Sequence, residues 1–163
     1  MNYALIISIA IAAIPIGAMA HGDTHGSKPP APDPSVHAEE TPFGRAGDPK
    51  KVTRTINVLM TDQMRFEPAE ITVKRGETVK FVIKNSGKVL HEMVLGTMPH
   101  LQAHHELMKK FPDMEHDEPQ QAHVDSGKTG TIVWQFNKAG EFNYGCLIPG
   151  HFEAGMIGKV TVK

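Results

Sequence analysis

The chain has 163 residues, 17 basic and 18 acidic, and a formal net charge of −1. This near-neutral balance gives no basis for nucleic acid or an anionic membrane surface as a partner, and neither is expected. The length suits a single domain once an N-terminal segment is set aside.

Residues 1–20 carry no charged side chain and contain an apolar run over residues 4–16, followed by Ala18-Met19-Ala20. A short hydrophobic region before an A-x-A site is typical of a secretory signal peptide, although the basic residues that usually precede it are missing. A membrane anchor is the alternative, but the run is shorter than the ~20 residues needed to span a bilayer. We therefore predict a signal peptide over 1–20, export to the periplasm, and no membrane association after cleavage.

Residues 21–50 are rich in proline, glycine and histidine and poor in large apolar side chains. Such a segment buries too little surface to offset its chain entropy. It is predicted to be a flexible tail, partly in the polyproline II conformation.

From residue 51 onward, short apolar runs alternate with period two and are separated by turn residues. The alternating positions are Ile56 and Val58; Ile71 and Val73; Val79, Phe81 and Ile83; Ile132, Trp134 and Phe136; Phe142 and Tyr144; and Ile157 to Val162. Several short strands with close turns predict an all-β domain over 51–163, a sandwich with Greek-key connections.

One region interrupts this rhythm with apolar residues at helical spacing between Pro99, which suits a helix start, and Pro112, which ends the run. This pattern predicts a helical insertion over about 100–111.

The strongest chemical signal is the stretch N-Y-G-C-L-I-P-G-H-F-E-A-G-M-I-G-K-V. It places Cys146, His151 and Met156 on one short loop. Thiolate, imidazole and thioether are ligands that copper accepts, and a thioether suits zinc or magnesium poorly. An exported chain with one cysteine has no internal disulfide to form, so a metal ligand explains Cys146 better than an inert buried thiol. The second imidazole is expected from His91, which follows a turn and opens an apolar strand.

These segments resemble the cupredoxins, the plastocyanin- and azurin-like copper proteins. The resemblance rests on R-F-x-P at residues 65–68, I-T-V-K-R-G-E-T-V-K-F, N-S-G-K-V-L-H-E and Y-G-C-x4-H-x4-M-x-G-x-V-x-V. It covers most of residues 54–163 and implies a Greek-key β-sandwich with a type 1 copper site, blue or green, bound by His91, Cys146, His151 and Met156.

The chain departs from the family pattern after the first histidine ligand. Many cupredoxins have asparagine there, where it helps to fix the ligand loop, whereas this chain has Glu92. Because outer-shell contacts tune a metal, the side-chain link to the loop is expected to differ. Asn85 is a candidate replacement.

Further histidines and methionines form a set of candidate accessory copper ligands. Residues four apart on a helix are neighbours, so several of them share a helical face. The alternative is that the methionines pack the helix onto the sandwich and the histidines are solvated. The set is His21, His25, Met98, His100, His104, His105, Met108, Met114 and His116.

Two functions are consistent with these features. The sequence resembles the periplasmic copper-tolerance cupredoxins of the CopI type, which add a His/Met-rich insertion and a histidine-bearing tail to the fold. That resemblance implies copper binding for tolerance, with a cuprous-ion oxidase activity as a further hypothesis. The alternative is a one-electron carrier whose redox partner docks near His151, on an apolar patch of Leu147, Ile148, Pro149 and Phe152.

Overall fold

A computed structural model describes residues 40–111 and 118–163 of the chain. The strands in chain order are β1 (Arg45–Ala46), β2 (Arg54–Thr61), β3 (Arg65–Glu67), β4 (Glu70–Val73), β5 (Thr78–Asn85), β6 (His91–Gly96), β7 (Gln121–Val124), β8 (Thr129–Gln135), β9 (Gly140–Gly145) and β10 (Ile157–Val162). A short 3-10 helix covers Pro49–Lys51, and the α-helix α1 covers Met98–Lys110.

The strands form two five-stranded sheets, ordered β1-β8-β5-β2-β3 and β4-β10-β9-β6-β7. The chain changes sheet between β3 and β4, between β4 and β5, between β5 and β6, between β7 and β8, and between β8 and β9. The parallel pairs β2–β5 and β4–β10 lie beside antiparallel ones. The predicted all-β sandwich is therefore confirmed.

Alternation along the strands explains the core. In β2 the buried positions are Ile56, Val58 and Met60, with exposed or half-buried residues between the apolar ones. Residues of period two point to one face of a sheet, so the inner faces of both sheets meet in one cluster that includes Phe81 and Trp134.

The sandwich also includes residues that precede the predicted domain start at 51. Strand β1 pairs with β8, and Phe43 is 3% exposed in the core. The ring of Phe43 stacks on Trp134 at 5.3 Å between centroids, and Trp134 Nε1 donates to the Phe43 carbonyl. The predicted signal peptide and the tail before residue 40 lie outside the described residues.

The predicted helical insertion is present as α1, which begins two residues earlier than expected. Thr97 caps it, since its Oγ1 accepts from the backbone N–H of His100, and a proline lies in its first turn. Its buried face, Leu101, His105 and Met108, lies on a second apolar cluster with Val94, Leu147 and the half-buried Phe152. Within 40–111 and 118–163, no helix is long and apolar enough to cross a membrane.

The fold brings both ligand-bearing segments to one end of the second sheet. Strands β6 and β9 are antiparallel, with Val94 opposite Gly145, so the start of β6 at His91 lies beside the end of β9. The loop over residues 146–156 then leads into β10. This loop and the first residue of β6 form the site described below.

Candidate metal centre

Three of the predicted ligands converge. The ligand atoms of His91, Cys146 and His151 all lie within 4.8 Å of one another. The Sγ atom of Cys146 is 3.3 Å from Nδ1 of His151, and the two imidazole rings are 4.9 Å apart between centroids. His91 and Cys146 are fully buried, whereas His151 is half-buried. The sequence prediction of this trio is confirmed by its geometry.

Met156 closes the ligand loop. Its backbone N–H donates to the carbonyl of His151 at 3.1 Å, and its carbonyl accepts from the N–H of Cys146 at 3.1 Å. The Met156 side chain is fully buried in the same apolar cluster as Cys146. Two backbone hydrogen bonds therefore join the three ligands of the loop to one another.

The His91 ring is oriented for a cation. Its Nδ1 atom is buried and has no hydrogen-bond partner among residues 40–111 and 118–163. An unpaired buried polar atom is costly unless it has a ligand, and His91 belongs to the converging trio. The chain thus leaves an imidazole nitrogen available where a metal is expected.

The electrostatics of the trio also favour a cation. Burial raises the pKa of the Cys146 thiol to about 12, and the Glu92 N–H, which donates to Sγ, acts in the opposite direction. A thiolate at neutral pH therefore requires a cation beside it. Burial, followed by the neighbouring His91, lowers the pKa of His151 below its ordinary value. His151 is consequently neutral at pH 7, the form that binds metals.

The residues present fit copper. Two imidazoles, one thiolate and one thioether are the donor set of type 1 copper sites. When bound, copper supplies one-electron exchange between Cu(II) and Cu(I). The chain itself contributes one donor from β6 and three from the loop between β9 and β10, in a largely buried site.

Glu92 stands where many cupredoxins have asparagine, and it connects its own strand, β6, to β7 and to the ligand loop. The residue is 2% exposed. One carboxylate oxygen accepts from the backbone N–H of Leu147 at 2.6 Å, and the other lies 2.6 Å from Nε2 of His123 on β7. The backbone N–H of Glu92 lies 3.5 Å from the Cys146 sulfur. Glu92 therefore joins β6, β7 and the ligand loop.

The suggestion that Asn85 takes over the asparagine role is wrong. Its amide nitrogen donates to the carbonyls of Val89 and Val124, and its oxygen accepts from the N–H of Gly87. Asn85 holds the turn that leads to His91, and the contact with the cysteine loop is made by Glu92.

The insertion helix also holds the ligand loop. His105 is 4% exposed, with Nδ1 3.0 Å from the carbonyl of Leu147 and Nε2 2.9 Å from a carboxylate oxygen of Glu153. Glu153 in turn accepts from the N–H of Gly150, and Phe152 stacks on the imidazole at 4.9 Å. Because oxygen atoms of Leu147 and Glu153 lie within hydrogen-bonding distance of its two nitrogens, His105 holds the ligand loop onto α1.

The other candidate accessory ligands have different surroundings. His100 is exposed and His104 half-buried on α1, with their rings 6.2 Å apart between centroids. Met98 is half-buried, and Met108 is 6% exposed against Leu101 and Leu147. The remaining candidates His21, His25, Met114 and His116 lie outside the described residues.

Replacing His105 by alanine tests whether this side chain holds the ligand loop. We expect the free energy of unfolding to fall by about 1–3 kcal/mol, because the carbonyl of Leu147 loses its partner in a buried position. Urea unfolding measures this change. Gln102→Ala, at an exposed position of the same helix, is the matched control. Equal stability of the two variants would contradict the role assigned to His105.

Residues 53–163 match the family "Copper binding proteins, plastocyanin/azurin family". The chain belongs to this family, and with His91, Cys146, His151 and Met156 it contains a type 1 copper site. The resemblance to cupredoxins inferred from the sequence motifs is confirmed.

The chain is similar to proteins described as "Copper-resistant cuproprotein CopI" from several bacteria. The protein of Rubrivivax gelatinosus is 52% identical over 143 residues, which cover 88% of this chain and 83% of that protein. The protein of Pseudomonas aeruginosa is 36% identical over 150 residues, covering 74% and 82%.

The solved structures most like this fold include two auracyanins. Auracyanin B has a TM-score of 0.62 at 21% identity, with 77% of this chain and 98% of that chain covered. The auracyanin of Roseiflexus castenholzii has a TM-score of 0.59 at 20% identity, covering 69% and 98%. At these identities the likeness concerns the fold alone.

Proposed function

We propose that this chain is a periplasmic copper-tolerance protein that binds copper at the centre formed by His91, Cys146, His151 and Met156. The observation that carries the proposal is the convergence of two imidazoles and a thiol within 4.8 Å of one another in a largely buried site. The similarity to the copper-resistant cuproproteins supports tolerance as the purpose, and the predicted signal peptide over 1–20 supports the compartment.

A growth assay tests the tolerance role. A strain lacking its own copy of the gene is grown over a range of copper concentrations with the wild-type chain or with Cys146→Ser. The wild-type chain should restore growth at copper concentrations that arrest the deletion strain, and the variant should not. Equal rescue by both would show that tolerance does not depend on this centre.

Accessory copper binding is a second part of the proposal and uses the side of α1 that carries His100 and His104. His100 and His104 are four residues apart, and two histidines at this spacing on one helical face are a recurrent metal-binding arrangement. Met98 is the first residue of α1, and the candidates Met114 and His116 follow the helix in the sequence. The buried His105 and Met108 are left out, because their side chains already serve to hold α1 on the loop.

Replacing His100 and His104 together by alanine should lower the copper bound at saturation by about one equivalent, since the pair offers one two-nitrogen site. Metal analysis after titration and removal of loosely bound copper measures this number. The visible spectrum of the type 1 site serves as an internal control and should not change. An unchanged copper content would remove the helix from the proposal.

A cuprous-ion oxidase activity is a further hypothesis, in which the accessory copper site on α1 supplies Cu(I) to the main copper centre. It requires that Cu(I) lose one electron to an external oxidant such as dioxygen faster with the protein than without it. Oxygen consumption with Cu(I) as the substrate measures the rate. A rate equal to that of the buffer would end the hypothesis.

One-electron transfer between proteins is the alternative function, and the surface near His151 supports it. The half-buried His151 has Ile148, Pro149 and Phe152 nearby in the loop, all at least partly exposed. The sequence interpretation placed Leu147 in this patch as well, but Leu147 is fully buried beneath α1. Val89 and Leu90, which precede His91, are 44% and 45% exposed. These two apolar surface residues were not included in the patch predicted from the sequence.

Copper stoichiometry separates the two functions. A carrier requires one copper, whereas copper handling predicts two or more at saturation. Titration of the chain from His21 onward, with metal analysis, gives the number. A single equivalent would favour the carrier.

A further inference from the structure

Asp62 contacts a copper ligand although it lies in a different part of the chain. It is in the turn between β2 and β3, and its Oδ1 is 3.2 Å from Nε2 of His91. The His91 ring is fully buried, whereas the Asp62 side chain is 38% exposed. The carboxylate therefore covers Nε2 of a ligand whose other nitrogen, Nδ1, is buried and has no hydrogen-bond partner among the described residues.

The position of this carboxylate is fixed by backbone donors. The N–H of Lys88 donates to Oδ2 at 2.7 Å, and the N–H of Val89 lies 3.4 Å from Oδ1. A Cβ atom at Gly87 would overlap the carboxylate, so glycine permits this close approach. Asp62 thus binds the turn over residues 87–89 and the His91 ring at the same time.

This arrangement determines the tautomer of His91. A carboxylate accepts hydrogen bonds, so Nε2 carries the proton and donates it to Asp62. In the neutral ring, Nδ1 then has a free lone pair, which agrees with its lack of a partner among the described residues. A carboxylate hydrogen-bonded to a ligand histidine orients the ring and increases its basicity.

We propose that Asp62 is a positioning residue of the copper site, which holds His91 in the Nε2–H tautomer and favours Cu(II) over Cu(I). The second effect follows because a negative charge hydrogen-bonded to a ligand stabilises the metal ion of higher charge. The proposal depends on the copper centre but not on copper tolerance, so the two are tested separately.

The variants Asp62→Asn and Asp62→Ala separate charge from geometry. Asparagine keeps an oxygen that accepts from Nε2 but loses the charge, whereas alanine removes both. Glu141→Gln is the matched control, because it makes the same change of net charge at an exposed residue at the start of β9, far along the strand from Cys146.

The first readout is the nitrogen chemical shifts of His91 in the copper-free protein, measured by NMR. The wild-type chain, Glu141→Gln and Asp62→Asn should show the Nε2–H tautomer, and Asp62→Ala a mixture of both. This measurement requires no copper, so it is independent of the proposed function. An Nδ1–H tautomer in the wild-type chain, or an unchanged tautomer in Asp62→Ala, would overturn the positioning role.

The second readout is the ratio of Cu(I) to Cu(II) affinity. Loss of an outer-shell partner costs about 10–100-fold in metal affinity, and partial exposure of Asp62 places it at the lower end. We expect Asp62→Asn to weaken Cu(II) binding about tenfold more than Cu(I) binding, which raises the reduction potential by about 59 mV for one electron. Circular dichroism checks that each variant has kept its fold. If folded Asp62→Asn had the same reduction potential as Glu141→Gln, the electrostatic part of the proposal would be refuted.

Discussion

Replacing Cys146 by serine should abolish the visible absorption of the copper-loaded protein while the sandwich remains folded. The absorption of a type 1 site requires a thiolate bound to copper, and Cys146 is the single cysteine of the chain. A hydroxyl at this position is not deprotonated at neutral pH and binds copper poorly. Affinity should fall by more than the roughly 10–100-fold caused by losing an outer-shell contact.

The fold should tolerate this substitution. Serine is close to cysteine in size, and the core around Cys146 is formed by large side chains of both sheets. The buried hydroxyl is expected to cost about 1–3 kcal/mol, which thermal unfolding of the copper-free protein measures. Visible titration with Cu(II) measures the loss of the site. A coloured Cys146→Ser protein would show that the thiolate is not the ligand.

Replacing Glu92 by alanine should destabilise the domain and disturb the copper spectrum together. The buried N–H of Leu147 would lose its acceptor, which costs about 1–3 kcal/mol. The loss of the contact with His123 adds less than about 1 kcal/mol, since the His123 side chain is 38% exposed and solvent screens the interaction. Because Leu147 follows Cys146, the change also reaches the sulfur ligand.

Two further variants separate these contributions. Glu92→Gln retains an oxygen for the N–H of Leu147 and should recover most of the stability and the spectrum. His123→Ala removes the exposed partner and should cost less than about 1 kcal/mol. Urea unfolding and visible spectra of the three variants give the comparison. The assignment of Glu92 to the loop would be contradicted if His123→Ala were as costly as Glu92→Ala.

Local sequence patterns predicted most of the strands and the ligands, but not the short strands β1, β3 and β7. Ile56 and Val58 alternate because one face of β2 is buried, and this period is visible without tertiary information. Cys146, His151 and Met156 share one loop, so their spacing alone indicates a metal site. The prediction of His91 required only the turn before it and the apolar strand after it.

Contacts between distant segments were not predictable in the same way. Glu92 meets His123 because the register of β6 and β7 places them opposite each other, and nothing in the local sequence specifies that register. The contact of Asp62 with His91 likewise depends on packing of the β2–β3 turn against the turn after β5. No period or spacing signals such a pair.

Which residues of α1 are buried was also not predictable from the sequence. His104 and His105 are adjacent and both fit a helical pattern, but packing on the ligand loop buries His105 and leaves His104 half-buried. The same packing buries Leu147, which a sequence interpretation assigns to the surface because it lies beside the ligands. Which face of a helix is covered depends on its docking, which the sequence does not state.

X-ray absorption at the copper edge, measured on the wild-type chain with one equivalent of copper, tests the copper centre most directly. The scattering should show one short bond to sulfur together with two imidazole nitrogens, and the sulfur bond should vanish in Cys146→Ser. A first equivalent bound only by nitrogen and oxygen would contradict the assignment of His91, Cys146, His151 and Met156 as the copper site.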